Sequence, residues 1–278
     1  MKKIKIVTDS SSDLMTLDGI AFATAPLKII TAERQYVDDE RLDTREMVTD
    51  LYSYRGKSST SCPNIGDWLD VFGDAEWIFC VTITGTLSGS FNSAMNAKRT
   101  YEEEYPDRRV FVLDSLSTGP EIILIIEKLK ALIAGGLDFD EICNSITEYS
   151  KKTGLIFMLE SLKNLANNGR VSPIVAKLAG ILGIRLVGKA SDKGDLEPLS
   201  KCRGEKNALE TIVKQLKELG YVGGEVRITH CLNEAAANSL RSLILGEYPT
   251  ARINILPCRG LCSFYAERGG LLIGFEKN

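Results

Sequence analysis

Short apolar runs alternate with longer segments of helical pattern through the first half of the chain. Strand-like runs cover residues 4–8, 20–30, 36–38, 77–82 and 110–114. Helical patterns cover residues 44–54, with Thr44 as the predicted N-cap, and residues 65–72, 88–104, 120–134 and 139–151. Strands that alternate with helices predict a parallel sheet with helices on both faces. The chain has 278 residues, 44% of them hydrophobic, which is enough for a core of this kind.

The second half of the chain has a different pattern. Strand-like runs cover residues 155–159, 184–189, 196–202, 226–231, 253–257 and 271–276. One helical pattern follows the first of these runs and ends at residue 167, and three more cover residues 174–182, 205–219 and 233–245. The sequence from Ser191 to Gly194 has the turn chemistry of a hairpin. We therefore predict two α/β domains: a parallel-sheet N-terminal domain over residues 1–153 and a mixed C-terminal domain over residues 154–278.

Three polar patches rich in hydroxyl groups interrupt the first half. They are residues 8–13 (TDSSSD), 58–63 (SSTSCP) and 84–90 (TGTLSGS), and the first and third directly follow strand-like runs. In an open α/β sheet, ligands bind where strands end and helices begin. Hydroxyl groups and free backbone N–H groups at helix starts can hold an anion without a basic residue. The patches therefore predict an anion site built from neutral groups.

Two interpretations of these patches remain open from the residues themselves. Serine and threonine also serve as helix caps and turn residues, worth about 1 kcal/mol each to a helix. The strongest candidate for ligand contact is Ser88, because the neighbouring Gly89 lets the backbone approach a ligand closely. Asp9 either caps the turn after its strand or orients nearby hydroxyl groups.

Basic residues form a second candidate feature. Arg170 follows Gly169 in a sharp break between two helical patterns. It is either an exposed arginine or a guanidinium placed over a ligand or a partner's phosphate. Lys201 and Arg203 come at the end of a strand-like run, and we expect them to add to the same positive patch.

Composition excludes several classes of function. The net charge of −3 leaves no basic footprint for a nucleic-acid partner. The most apolar run, residues 122–126, is too short for membrane insertion and has charged neighbours. Seven cysteines without a CxxC pair predict reduced thiols and a cytoplasmic protein, and the single histidine, His230, excludes a multi-histidine metal site. We predict no cofactor and no metal.

Several segments, taken in order, resemble the DegV family over essentially the whole chain. They are Asp9 to Asp13 with the preceding strand, Thr60-Ser61-Cys62-Pro63, Leu87-Ser88-Gly89-Ser90-Phe91-Asn92-Ser93-Ala94, Asp114-Ser115 with Gly119, Leu162 to Leu165, Asn168-Gly169-Arg170-Val171-Ser172, and Lys201-Cys202-Arg203. The resemblance implies a two-domain α/β protein that binds a long-chain fatty acid in an apolar tunnel. It implies a lipid-binding carrier that is not itself an enzyme.

The resemblance also implies roles for individual residues. Thr60 or Ser61, together with Ser88 and the backbone of Gly89, would hold the carboxylate. We add Asp9 and Ser10 to the candidate ligand-binding residues. Family members present the bound acid to a separate fatty-acid kinase, which forms an acyl-phosphate, and Arg170 matches an arginine of that phosphoryl-transfer surface.

The chain departs from the family pattern in three places. Asn64 stands where a serine usually follows the proline, and Arg185-Leu186 stands for the usual Lys-Pro. The sequence CRGLC at residues 258–262 replaces His-x-Gly-Pro-Gly, so Cys258 takes the place of a histidine associated with the kinase-dependent function. Two other functions therefore stay open: a lipid sensor without a kinase partner, and an enzyme that uses Asp9, Ser88 and His230 on a small anionic substrate.

Overall fold

The computed structural model describes residues 2–172, 175 and 183–278. Within this part of the chain the strands are β1 (Ile4–Asp9), β2 (Ala21–Ala25), β3 (Lys28–Ile30), β4 (Gln35–Val37), β5 (Ser59–Ser61), β6 (Trp77–Thr82), β7 (Arg109–Asp114), β8 (Thr153–Leu159), β9 (Ile184–Ala190), β10 (Leu196–Arg203), β11 (Glu225–His230), β12 (Arg252–Pro257) and β13 (Leu271–Glu276). The helices are α1 (Thr44–Ser53), α2 (Ile65–Phe72), α3 (Ser90–Glu104), α4 (Pro120–Ala134), α5 (Phe139–Ser150), α6 (Lys163–Asn167), α7 (Glu205–Glu218), α8 (Glu234–Glu247) and α9 (Gly260–Ala266). The predicted helix at 174–182 lies outside the described residues, apart from Val175.

The N-terminal part is built on a four-stranded parallel sheet in the order β2-β1-β6-β7. Side chains of adjacent strand residues point to opposite faces, so Ile6 packs with α4 and α5 while Val7 packs with α2 and α3. Phe79 and Ile78 divide between the same two faces. The predicted parallel sheet with helices on both faces is confirmed.

The C-terminal part is built on a six-stranded mixed sheet in the order β10-β9-β8-β13-β11-β12. The pair β11–β12 is parallel, and the other four of its pairs are antiparallel. The predicted hairpin between β9 and β10 is present, with Ala190 opposite Leu196. The predicted mixed sheet is confirmed. Strand β8 begins at Thr153, the last residue of the predicted N-terminal domain, and the other five strands follow the predicted boundary, which stays a prediction.

Helix α4 packs against both sheets. It contacts β1 and β6 of the parallel sheet and β8, β11 and β13 of the mixed sheet. This position explains why its first seven residues, from Pro120 to Ile126, are all buried and, apart from Glu121, apolar, as expected of a helix covered on every side. Gly274 in β13 permits the contact, because a Cβ there would lie 2.5 Å from the backbone nitrogen of Glu121. No helix among the described residues is long and apolar enough to cross a membrane.

Two local predictions were wrong. The run at residues 20–30 is not one strand, because it breaks at Pro26 into β2 of the parallel sheet and β3. Strand β3 pairs antiparallel with β4 and β5 in a separate three-stranded sheet. Helix α1 is capped by Asp43, whose carboxylate accepts a hydrogen bond from the Glu46 backbone N–H at 2.9 Å, so Thr44 is the first helical residue.

Candidate functional site

An apolar cavity of about 280 Å³ lies where the ends of the parallel strands meet the mixed sheet. Its walls carry Leu155, Phe157 and Leu159 of β8 and Leu261 of α9. This volume is just below the range typical of small-molecule sites, about 300–1,000 Å³. The apolar walls favour a ligand with a substantial hydrocarbon part.

The second and third hydroxyl patches both line this cavity. Thr60, Ser61, Ser88 and Gly89 are among its lining residues, so the structure brings together four of the six predicted ligand-binding residues. Gly89 lies so close to Cys62 that a Cβ on it would sit 3.1 Å from the Cys62 Sγ. The second patch reaches this place through β5 and the three-stranded sheet, not through the parallel sheet.

The hydroxyl groups of the two patches have different surroundings. The Thr60 Oγ1 lies 2.7 Å from the Tyr265 hydroxyl, so these two groups share a hydrogen bond. The Ser88 Oγ accepts a weak hydrogen bond from the backbone N–H of Ser90 at 3.3 Å, which leaves its own proton free to donate. Helix α3 begins at Ser90, two residues later than predicted, and Gly89 occupies the N-cap position.

The first patch lies behind the cavity. Asp9 and Ser10 are fully buried and do not belong to its lining. The Asp9 carboxylate accepts hydrogen bonds from Ser11, from the Ser90 hydroxyl and from the backbone N–H of Ile83. Burial raises the pKa of Asp9, and these hydrogen bonds oppose the rise. Asp9 and Ser10 thus accept hydrogen bonds behind the cavity, since the Ser10 Oγ also accepts from the Leu27 N–H at 3.0 Å.

Helix α9 forms a wall of the cavity that the sequence did not predict. None of its own side chains caps it, because the cap comes from the distant Asp38, which accepts from the backbone N–H groups of Gly260 and Leu261 at 2.8 Å each. Asp13 accepts from the Arg259 N–H at 2.7 Å. Burial raises the pKa of Asp13 to about 7 and that of Asp38 to about 6. Two buried carboxyl groups of the N-terminal part thus hold the start of α9.

Arg170 also lines the cavity. Its guanidinium donates to the Leu87 carbonyl at 3.2 Å and to the Asn168 carbonyl. The cavity lining therefore includes a cation, whereas the hydroxyl patches had predicted an anion site built from neutral groups. Lys201 and Arg203 are exposed and do not line the cavity. Leu196, at the start of β10, is a lining residue, and Arg203 ends the same strand roughly 20 Å further along.

The substituted segment at residues 258–262 is divided between the cavity and the core. Cys262 lines the cavity, whereas Cys258 and Arg259 do not. Cys258 is buried and its Sγ lies 3.4 Å from the Thr229 hydroxyl. The Arg259 guanidinium donates to the Asp39 carbonyl, away from the cavity lining. Asn64, which replaces the usual serine, caps the start of α2, where Asn64 and Asp67 form a capping box.

The three residues considered for catalysis do not share one site. His230 is absent from the cavity lining, and its Nδ1 accepts a hydrogen bond from the Asn233 N–H at 3.2 Å. Burial lowers the pKa of His230. The Asp9 carboxylate is buried behind the cavity, where it accepts the hydrogen bonds described above. Of the three residues, only Ser88 lines the cavity. Among the described residues, no group of three or more histidine, cysteine or acidic side chains is arranged to hold a metal ion.

A family model described as DegV matches residues 3–278. The chain belongs to the DegV family. A DegV domain-containing protein of Streptococcus pneumoniae is 45% identical over 276 residues, which cover 98% of each chain. A DegV domain-containing protein of Streptococcus gordonii is 42% identical over the same length and covers 98% of each chain. The resemblance that rested on ordered motifs is confirmed.

Solved structures of DegV proteins agree with the fold and carry ligands. A DegV family protein of Eubacterium eligens loaded with heptadecanoic acid has a TM-score of 0.97 and 44% identity, covering 99% of this chain and 100% of that one. The Fatty Acid Kinase (Fak) B3 protein of Streptococcus pneumoniae, loaded with linoleic acid, gives the same values. A DegV protein of Ruminococcus gnavus refined with vaccenic acid has a TM-score of 0.89 and 28% identity, covering 99% of this chain and 100% of that one.

Proposed function

We propose that this DegV protein binds a long-chain fatty acid in the apolar cavity and presents it to a fatty-acid kinase. The observation that carries the proposal is a single cavity with leucine and phenylalanine walls and two converging hydroxyl patches. The fatty acids bound by the Eubacterium eligens and Streptococcus pneumoniae proteins support this class of ligand. The protein itself acts as a carrier and needs no cofactor.

The tail of such a ligand supplies most of the affinity. Each buried CH₂ group contributes about 0.8 kcal/mol. Five buried methylenes therefore contribute about 4 kcal/mol, which is close to a thousandfold in the dissociation constant. The head group must only recover the hydrogen bonds that it loses on leaving water, because an unsatisfied buried charge is costly.

The head group is held by Ser88, the Gly89 backbone and Thr60 or Ser61 in this proposal. Ser88 has a free proton to donate, and Gly89 lets the chain approach the carboxylate. Arg170 is anchored to the Leu87 carbonyl and so brings a positive charge beside Ser88. A guanidinium in that place can neutralise a carboxylate and, later, a phosphoryl group.

Native mass spectrometry of protein expressed in bacteria tests the binding. We expect a mass increment that matches a long-chain fatty acid, and uptake of added acid after the protein is stripped of lipid. A protein that carries no fatty acid and takes none up would overturn the proposal. Acyl-phosphate formation after the loaded protein is mixed with a fatty-acid kinase and ATP tests the presentation step separately.

The replacement of the family histidine by Cys258 bears on the kinase step. Cys258 is buried, so it offers no exposed acid–base group to a partner. A lipid sensor that binds the acid without a kinase is therefore the second candidate function. It predicts fatty-acid uptake with no acyl-phosphate in the kinase assay. The absence of a CxxC pair favours reduced thiols, and we propose that the protein works in the cytoplasm.

A further inference from the structure

A second cavity, of about 490 Å³, lies on the opposite side of α9 from the proposed acyl cavity. The two cavities share no lining residue. Leu261 and Tyr265 of α9 face the first cavity, whereas Ser263 and Phe264 face the second. Three other segments also line the second cavity: the residues that follow α1, the residues that follow β8, and the start of β9.

Basic side chains dominate the second cavity. Four cations and two carboxylates line it, so its formal charge is +2 (4 − 2) in a chain of net charge −3. The cations are Arg55, Lys163, Arg185 and Arg268, and we call this cavity the basic pocket. A cleft lined by one sign of charge concentrates ligands of the opposite sign.

The two carboxylates of the basic pocket are already engaged. Glu160 pairs with Arg185 at 2.6 Å. Glu267 accepts from the Ser161 hydroxyl at 2.9 Å and from the Asn164 N–H at 3.1 Å. Among the described residues, no carboxylate lies within 4.0 Å of the other three cations, Arg55, Lys163 and Arg268. Three cations from three separate segments thus line one concave space without an ion pair, and Glu267 offsets only one of their three charges.

The floor of the basic pocket is apolar and buried. Val48 of α1 and Phe264 of α9 are both buried and line it. Phe264 is fixed by an edge-to-face contact with Tyr265, with ring centroids 4.8 Å apart. At the rim, the Tyr52 side chain is 76% exposed. A buried floor beneath exposed cationic side chains suits a compact anion that approaches from solvent.

We propose that the basic pocket is a binding site for a phosphate-monoester group. Such a group carries about −1.5 to −2 charges at neutral pH, which matches the local charge of +2. The guanidinium groups of Arg55 and Arg268 can each donate two parallel hydrogen bonds to phosphate oxygens, and Lys163 adds a point charge. The site is distinct from the acyl cavity, because the two share no lining residue, and Phe264 and Tyr265 form the wall between them.

Isothermal titration with methyl phosphate at 0.15 M salt tests the proposal. We expect saturable binding to the wild-type chain and at least tenfold weaker binding to the double variant Arg55→Gln/Arg268→Gln. The control is Arg45→Gln, which removes one positive charge, where the double variant removes two, from an exposed position of α1 outside the pocket and should leave binding unchanged. Methyl sulfate, which has a single charge, should bind more weakly than methyl phosphate.

Sedimentation with vesicles separates a free phosphate ester from a lipid headgroup. Phosphatidylcholine vesicles with and without phosphatidic acid are compared. Binding to phosphatidic acid that the double variant loses, without binding of methyl phosphate, supports the site with a lipid as its ligand. The proposal is overturned if neither probe binds, or if Arg45→Gln weakens binding as much as the double variant. Fatty-acid uptake by the same preparations shows that the variants are folded.

Discussion

The Asp9 carboxylate accepts a hydrogen bond from the Ser90 hydroxyl at 2.5 Å, across 81 positions of sequence. The same carboxylate accepts from the Ile83 backbone N–H at 3.0 Å. It therefore joins the end of β1 to both ends of the segment that carries Ser88 and Gly89. The first hydroxyl patch acts on the proposed head-group site through this contact, without lining the cavity.

Replacing Asp9 should be strongly destabilising. Asp9→Ala leaves the Ile83 N–H and two buried hydroxyl groups without their acceptor, and each unsatisfied buried donor costs about 1–3 kcal/mol. We expect the free energy of unfolding in urea to fall by about 3 kcal/mol or more. Asp18→Ala, at an exposed position, is the control and should change it little. Equal stability of the two variants would contradict the role given to Asp9.

Ser88→Ala should weaken fatty-acid binding without unfolding the protein. The variant removes a free hydroxyl donor near the carboxylate, and hydrogen bonds to charged groups are worth about 1.5–3 kcal/mol. We expect affinity to fall about 10- to 100-fold in a fluorescent fatty-acid displacement assay. Ser242→Ala, on the exposed side of α8, should bind as the wild type does. An unchanged affinity for Ser88→Ala would remove Ser88 from the head-group site.

Tyr265 is a functional candidate that its sequence context did not reveal. Its hydroxyl shares a hydrogen bond with Thr60, 205 positions away. Tyr265→Phe should leave the Thr60 hydroxyl free to rotate, whereas Thr60→Val removes that hydroxyl altogether. In the displacement assay, we expect a loss of affinity for both variants and a larger loss for Thr60→Val. A larger loss for Tyr265→Phe would mean that the tyrosine, and not Thr60, contacts the ligand.

Local patterns in the sequence predicted most of the fold, and nonlocal contacts explain what they missed. Strands such as β6 and helices such as α4 have continuous apolar runs or clear boundaries such as Pro120. Helix α9 was missed because its cap is Asp38, more than 200 residues earlier in the sequence. The same reasoning applies to the site. The neighbouring glycines in the sequence made Ser88 and Arg170 candidates. That Arg203 lies away from the cavity follows only from the folded structure.

The stability of the protein should depend on the ionisation of Asp13. Its pKa is about 7 in the folded protein, because burial disfavours the charge, against an ordinary value of 3.8. The folded state therefore binds the proton more tightly than the unfolded state between these values. The stabilisation from this group is complete below about pH 4 and is lost as the pH rises to about 7. The loss is up to about 4 kcal/mol, and Asp38, with a pKa of about 6, acts in the same direction.

Asp13→Asn isolates this effect. Asparagine tolerates the left-handed backbone at this position, where φ is 61°, and its side-chain oxygen can still accept from the Arg259 N–H. Urea unfolding between pH 4 and pH 7.5 should show the variant gaining stability relative to the wild type as the pH rises. Asp39→Asn provides a control, because Arg41 lowers the pKa of Asp39, so this group contributes stability that is lost only below about pH 4. The stability difference between Asp39→Asn and the wild type should therefore stay nearly constant between pH 4 and pH 7.5. A stability difference between Asp13→Asn and the wild type that stays constant with pH would show that Asp13 is already ionised at pH 4.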